Sequence, residues 1–159
     1  MADWLRKLGL SREAAIRSVR TAVAAVVSML LARGLKLPEL QWAPIATIVI
    51  LLSTVNPLTQ AWQRFVGTAL GAAMGALIAS FFPPNWMVYG IGIFVGVILS
   101  AVLRLGGASR FTAITMTIVL LTVQGAPPWT IGLQRFVEVS LGIAVALLTT
   151  LLWRGPKSG

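Results

Sequence analysis

Residues 63–80 read QRFVGTALGAAMGALIAS and residues 134–150 read QRFVEVSLGIAVALLTT. Each opens on Gln-Arg-Phe-Val and then carries no further cation until Arg104 in the first case and Arg154 in the second. A span of the bilayer core needs about 20 predominantly apolar residues, and each run supplies one. In the first run Gly67, Gly71 and Gly75 recur at spacing four. Without side chains there a neighbouring helix can approach closely, so this face reads as packing rather than pore.

Composition agrees with that reading. Of 159 residues, 57% are hydrophobic and 11% charged, and mean hydropathy is +0.88. A soluble domain carries about 25% charged residues, so this chain cannot build a polar exterior. It has no cysteine and no histidine, and its only acidic side chains are Asp3, Glu13, Glu39 and Glu138. Paired catalytic carboxylates, a serine–histidine arrangement and the usual metal clusters cannot be assembled from that inventory. Neither an enzyme nor a bound cofactor is expected. The net charge of +9 sits at span ends rather than along one helical face, which favours lipid and topology over nucleic acid.

The pattern predicts an all-α integral membrane protein. Residues 1–10 place Trp4, Leu5 and Leu8 at helical spacing beside Arg6 and Lys7, suited to the membrane surface, and Ser11 is a candidate N-cap. Six spans are expected over 12–33, 42–55, 65–82, 86–103, 111–123 and 136–153, followed by a polar tail over 154–159. The first has a basic start like a signal peptide's, but no small-residue cleavage site follows it, so it reads as a retained anchor. Lys and Arg number ten on the side of the N-terminal segment (Arg6, Lys7, Arg12, Arg17, Arg20, Arg64, Arg104, Arg110, Arg154, Lys157) against three on the other (Arg33, Lys36, Arg135). The positive-inside rule then puts both termini in the cytoplasm.

Setting Gln63 on Gln134 gives an offset of 71 residues that also lays Arg33 on Arg104 and, with one residue of slack, Thr47-Ile-Val on Thr117-Ile-Val. Halves over about 11–82 and 86–153, each of three spans, would be inverted about a pseudo-two-fold axis in the membrane plane, as in many transporters. The middle span of each half is short, which is a sequence pointer to a substrate site. Thr112, Thr115 and Thr122 line one face of the fifth span; they either face that site or bond back to their own helix carbonyls. Gly92 and Gly96 make a weaker small-residue face, and either glycine face could be a dimer seam.

Arg64-Phe-Val-Gly67-Thr68-Ala-Leu-Gly71 resembles the R-x-x-G-T-x-x-G signature of the fusaric-acid-resistance-like and aromatic acid exporter families, and Arg135-Phe-Val-Glu138 followed by Gly142 is similar to their R-x-x-E-x-x-x-G. Arg17 and Arg20 opening the first span, and Trp42-Ala43-Pro44 entering the second, look alike too. The resemblance implies a bacterial inner-membrane module related to the membrane half of plant aluminium-activated malate channels, moving organic or aromatic carboxylates outward. Many relatives are similar to two such modules with large cytoplasmic domains; one module here implies a homodimer.

On that footing Arg64 and Arg135 are expected to bind substrate carboxylate at the two mouths of a path, because a guanidinium offers a planar fork for two parallel hydrogen bonds. Arg17, Arg20 and Arg110 would add positive potential at the cytoplasmic vestibule. Glu138, three residues after Arg135, either neutralises it or accepts the proton of a proton-coupled exporter. The competing class is an accessory membrane subunit docked on a larger exporter.

Overall fold

The structure, a computed structural model, describes residues 12–83, 85–122 and 126–153. The segment 1–10, the Ser11 cap and the tail with Arg154 and Lys157 lie outside them. Six α-helices follow in order: α1 (Arg12–Gly34), α2 (Trp42–Leu51), α3 (Pro57–Phe81), α4 (Trp86–Val102), α5 (Ser109–Thr122) and α6 (Pro128–Leu152), with a 3-10 turn at Gly106–Ala108 before α5. Among the described residues α1, α3 and α6 are long and apolar enough to cross a membrane. The 25 residues of α3 and of α6 rise about 38 Å, more than the roughly 30 Å hydrocarbon core. The ten of α2 reach only about 15 Å.

Several boundaries differ from expectation. α3 and α6 start at Pro57 and Pro128, about two turns before the expected starts at 65 and 136. Gln60, Gln63, Thr130 and Gln134 look like loop residues, but proline at the first helical position is pre-set for a helix start. At Pro57 the Asn56 side chain also accepts from the Leu58 amide. α2 ends at Leu51 rather than at 55, where a turn through Ser53 intervenes.

α3 packs on α5 and α6, and α6 packs on α2; α1 rests on α2 and α6, and α4 on α5 and α3. Exchanging α1, α2 and α3 for α4, α5 and α6 sends each of these pairs onto another of them, and α3–α6 onto itself. Local detail corresponds as well. α3 and α6 begin and end 71 residues apart (57 to 128, 81 to 152). α1 and α4 close with the same left-handed cap: Lys36 (φ 52°) donates to Arg33 O and Leu37 to Ala32 O, while Arg104 (φ 53°) donates to Ala101 O and Leu105 to Ser100 O. This pairing sets Arg104 beside Lys36, 68 residues away, not Arg33. The connecting loops differ in length, so one offset does not serve all three helices.

Close crossings depend on glycine. A Cβ on Gly67 would lie 2.5 Å from the Ala108 carbonyl, and one on Gly71 2.5 Å from that of Thr112; one on Gly75 would sit 2.9 Å from Val119 Cβ. All three face α5, and Gly92 and Gly96 meet Met116 from the other side. Gly142 of α6 meets the Ala43 carbonyl and Ala46 of α2 in the same manner. These glycines are packed within the chain, which corrects the expectation that their faces are free for a dimer seam. Small residues bring backbones close where lipid supplies no hydrophobic drive between helices, and Ala24, Ala46, Ala61 and Ala146 accordingly share the core with Ile50 and Val139. Trp62, Trp86, Trp129 and Phe94 are exposed outward.

Candidate functional site

Arg64 and Arg135 each stand eighth in their helices, about 10 Å along the axis. Both are buried, at 5% and 3% exposure. Both line one interior cavity of about 10 Å³, together with Trp42, Thr68, Phe111, Ile114, Thr115, Ile118 and Val139. The early start of α3 and α6 carries the arginines inward. The space holds about one water molecule, so an organic anion enters only if the helices around it separate.

The arginines pair reciprocally across the fold. The Arg64 guanidinium lies 5.0 Å from the ring centroid of Phe111, in the first turn of α5, and Arg135 lies 4.8 Å from the ring of Trp42, the first residue of α2. Their electrostatic settings are opposite. Arg135 donates to Glu138 at 2.9 Å and forms an ion pair with Glu39 on the α1–α2 connection. Glu138, fully buried, also accepts the Glu39 backbone N–H at 3.0 Å. The second Glu39 oxygen accepts from the Trp42 indole at 2.8 Å and from Gln41 at 3.0 Å. Burial pushes the Glu39 carboxyl up, but the bonds from Trp42 and Arg135 and the guanidinium charge outweigh it, so it titrates below the ordinary glutamate range. With both carboxylates ionised, one cation against two anions gives this cluster −1.

Among the described residues Arg64 makes no hydrogen bond and no ion pair, and its Nε is buried without a partner. Its nearest charged neighbour is a second cation. Arg110 also stands over Phe111, at 4.6 Å, and donates to Gln60 at 2.8 Å. The Thr68 and Thr115 hydroxyls on the same wall make no hydrogen bond among the described residues. An uncompensated buried charge is costly, and this one comes with open donors: the chemistry is that of a seat for an anion.

The other expected residues lie elsewhere. Thr112 is committed to packing, bonding to Ala108 O at 3.2 Å and accepting from Ser100 at 3.1 Å, and Thr122 is exposed at the end of α5. Arg17 donates to the Leu51 and Ser53 carbonyls, where it caps α2. Arg20 borders an apolar groove between α1 and α6. Sequence reasoning missed Trp42, Thr68, Phe111, Gln60 and Glu39 as site residues. Thr68 had a signal, standing four residues after Arg64 and therefore on its face; Glu39, in an aperiodic connection, had none.

Helices with apolar outer faces and a charged, closed interior define a polytopic membrane protein. Residues 17–149 match the family described as fusaric acid resistance protein-like, and the chain belongs to that family. It is 26% identical over 144 residues to Inner membrane protein YeeA of Escherichia coli (strain K12), an alignment that covers 87% of this chain and 40% of that relative. No solved structure matches it. The chain is a multi-pass inner-membrane protein.

Proposed function

We propose that this chain is a transport module that moves organic carboxylate anions outward across the inner membrane, with aromatic carboxylates as the best substrates. The observation that carries the reading is the buried, unpaired guanidinium of Arg64 on a wall shared with two aromatic rings and two free hydroxyls. A carboxylate satisfies the fork through two charge-assisted hydrogen bonds, Thr68 and Thr115 donate to its remaining lone pairs, and Phe111 and Trp42 flank an aromatic body. Arg110 raises the local positive potential at the entrance.

The corresponding contacts of the two halves support an inverted repeat, and the excess of Lys and Arg on the N-terminal side supports cytoplasmic termini. In that arrangement Arg64 lies toward the cytoplasm and Arg135 toward the opposite face, and the closed cavity between them is an occluded state of alternating access. Glu138, held between Arg135 and the Glu39 amide, is the candidate for any proton coupling. The chain spans 40% of the relative it matches; a second copy is the companion in this reading, and an accessory role beside a larger exporter is the second reading.

Benzoate efflux from proteoliposomes tests the proposal. Wild-type protein releases benzoate and Arg64→Gln, inserted at equal density, does not. Equal release by both, or none by folded wild-type protein, refutes it.

A further inference from the structure

We infer that Glu39 is a tethered competitor for the transported anion: its carboxylate occupies the Arg135 fork at rest and must be displaced before an anion reaches the outer end of the path. The inference rests on the anion-transport reading above.

The two arginines hold equivalent places in α3 and α6 and line one cavity, yet one is empty and the other filled. The two carboxylates on Arg135 are not alike. Glu138 is on the same helix, three residues on, and fully buried. Glu39 arrives from a connection between helices, and its side chain is 34% exposed. It can swing away without unpacking a helix, and the connection that carries it bonds to Glu138 through the Glu39 backbone N–H. Trp42 and Gln41 already donate to its outer oxygen, so that oxygen keeps partners when the inner one leaves Arg135.

With both glutamates ionised, charge selects displacement over addition. A substrate carboxylate that joined both glutamates would put three negative groups around one guanidinium and bring the cluster to −2. Replacing Glu39 keeps it at −1 with the fork still filled. An anion moving from Arg64 through the shared cavity therefore reaches an arginine that exchanges one carboxylate for another. With no anion present, Arg135 is bonded to the chain's own carboxylate while Arg64 makes no such bond among the described residues, so an anion meets a competitor at one arginine and none at the other.

The test compares benzoate movement in right-side-out and inside-out membrane vesicles. Glu39→Gln keeps the size of the side chain and its bond to Trp42 but removes the competing charge. The benzoate concentration that half-saturates entry from the outer face should fall about tenfold, the least that one charge-assisted hydrogen bond is worth. An unchanged half-saturating concentration at that face overturns the inference and leaves the transport reading standing if wild-type protein still carries benzoate and Arg64→Gln does not. Absence of benzoate movement in folded wild-type protein overturns both. A second measurement covers a variant that does not fold. The chain lacks cysteine, so a spin label at Pro38→Cys reports the connection alone. Saturating benzoate should mobilise it, and an unmoved spectrum in protein that transports benzoate overturns the inference.

Discussion

Replacing each buried arginine by leucine should move stability in opposite directions. Arg135→Leu strands Glu138 and Glu39, which face each other with the guanidinium between them. Removing one member of a buried ion pair costs about 3–5 kcal/mol. Arg64→Leu removes a cation with no counter-charge among the described residues. A central arginine costs about 2.5–3.5 kcal/mol to insert, and loss of the Phe111 contact returns about 0.5–2 kcal/mol of that. The net is a stabilisation of about 0.5–3 kcal/mol. At roughly 2–4 °C per kcal/mol for a chain this long, Tm should rise a few degrees in Arg64→Leu and fall by about 10 °C in Arg135→Leu. Thermal unfolding in one detergent, followed by circular dichroism, reads both. If Arg64→Leu falls as far as Arg135→Leu, Arg64 has a partner and the anion seat is misassigned.

Three further outcomes follow from the same contacts. Gly71→Val should lower Tm, because even its Cβ would sit 2.5 Å from the Thr112 carbonyl and overpacking costs about 1–3 kcal/mol; Gly34→Ala, with nothing near its Cβ, is the control. Thr68→Val and Thr115→Val should leave Tm unchanged or raised and each weaken benzoate binding about fivefold, near the net value of one hydrogen bond, as read by calorimetric titration. The Glu39 pKa is lowered in the folded state, so its contribution is fully present above the ordinary glutamate range and is lost as pH falls through its lower folded value. Glu39→Gln should flatten the fall of Tm with acid over that window, and a slope unchanged from wild type would contradict the assignment.

Much of this architecture is legible from apolar run lengths and glycine spacing. Gly67, Gly71 and Gly75 announce a close crossing, but spacing alone does not tell an intramolecular neighbour from a second copy; α5 is the neighbour. The repeated Arg64 and Arg135 flag the site because an arginine inside an apolar run needs a reason. Their unequal settings were not legible, since the difference lies in Glu39, 96 residues from Arg135 and brought to it by tertiary packing. The helix starts lie earlier than expected because polar residues in the first two turns, Gln60 and Gln63 in α3 and Thr130 and Gln134 in α6, resemble loop residues, although Asn56-Pro57 holds the cap and the proline that start α3. The aromatic partners Phe111 and Trp42 stand at helix starts, where they read equally well as interface anchors.

The most direct test of the central claim is equilibrium binding of radiolabelled benzoate to the purified protein, with Arg64→Gln and Arg110→Gln alongside. Saturable binding should be lost in Arg64→Gln, as expected when a paired set of charge-assisted hydrogen bonds disappears, and only weakened in Arg110→Gln. Binding that survives Arg64→Gln at wild-type affinity would contradict the account.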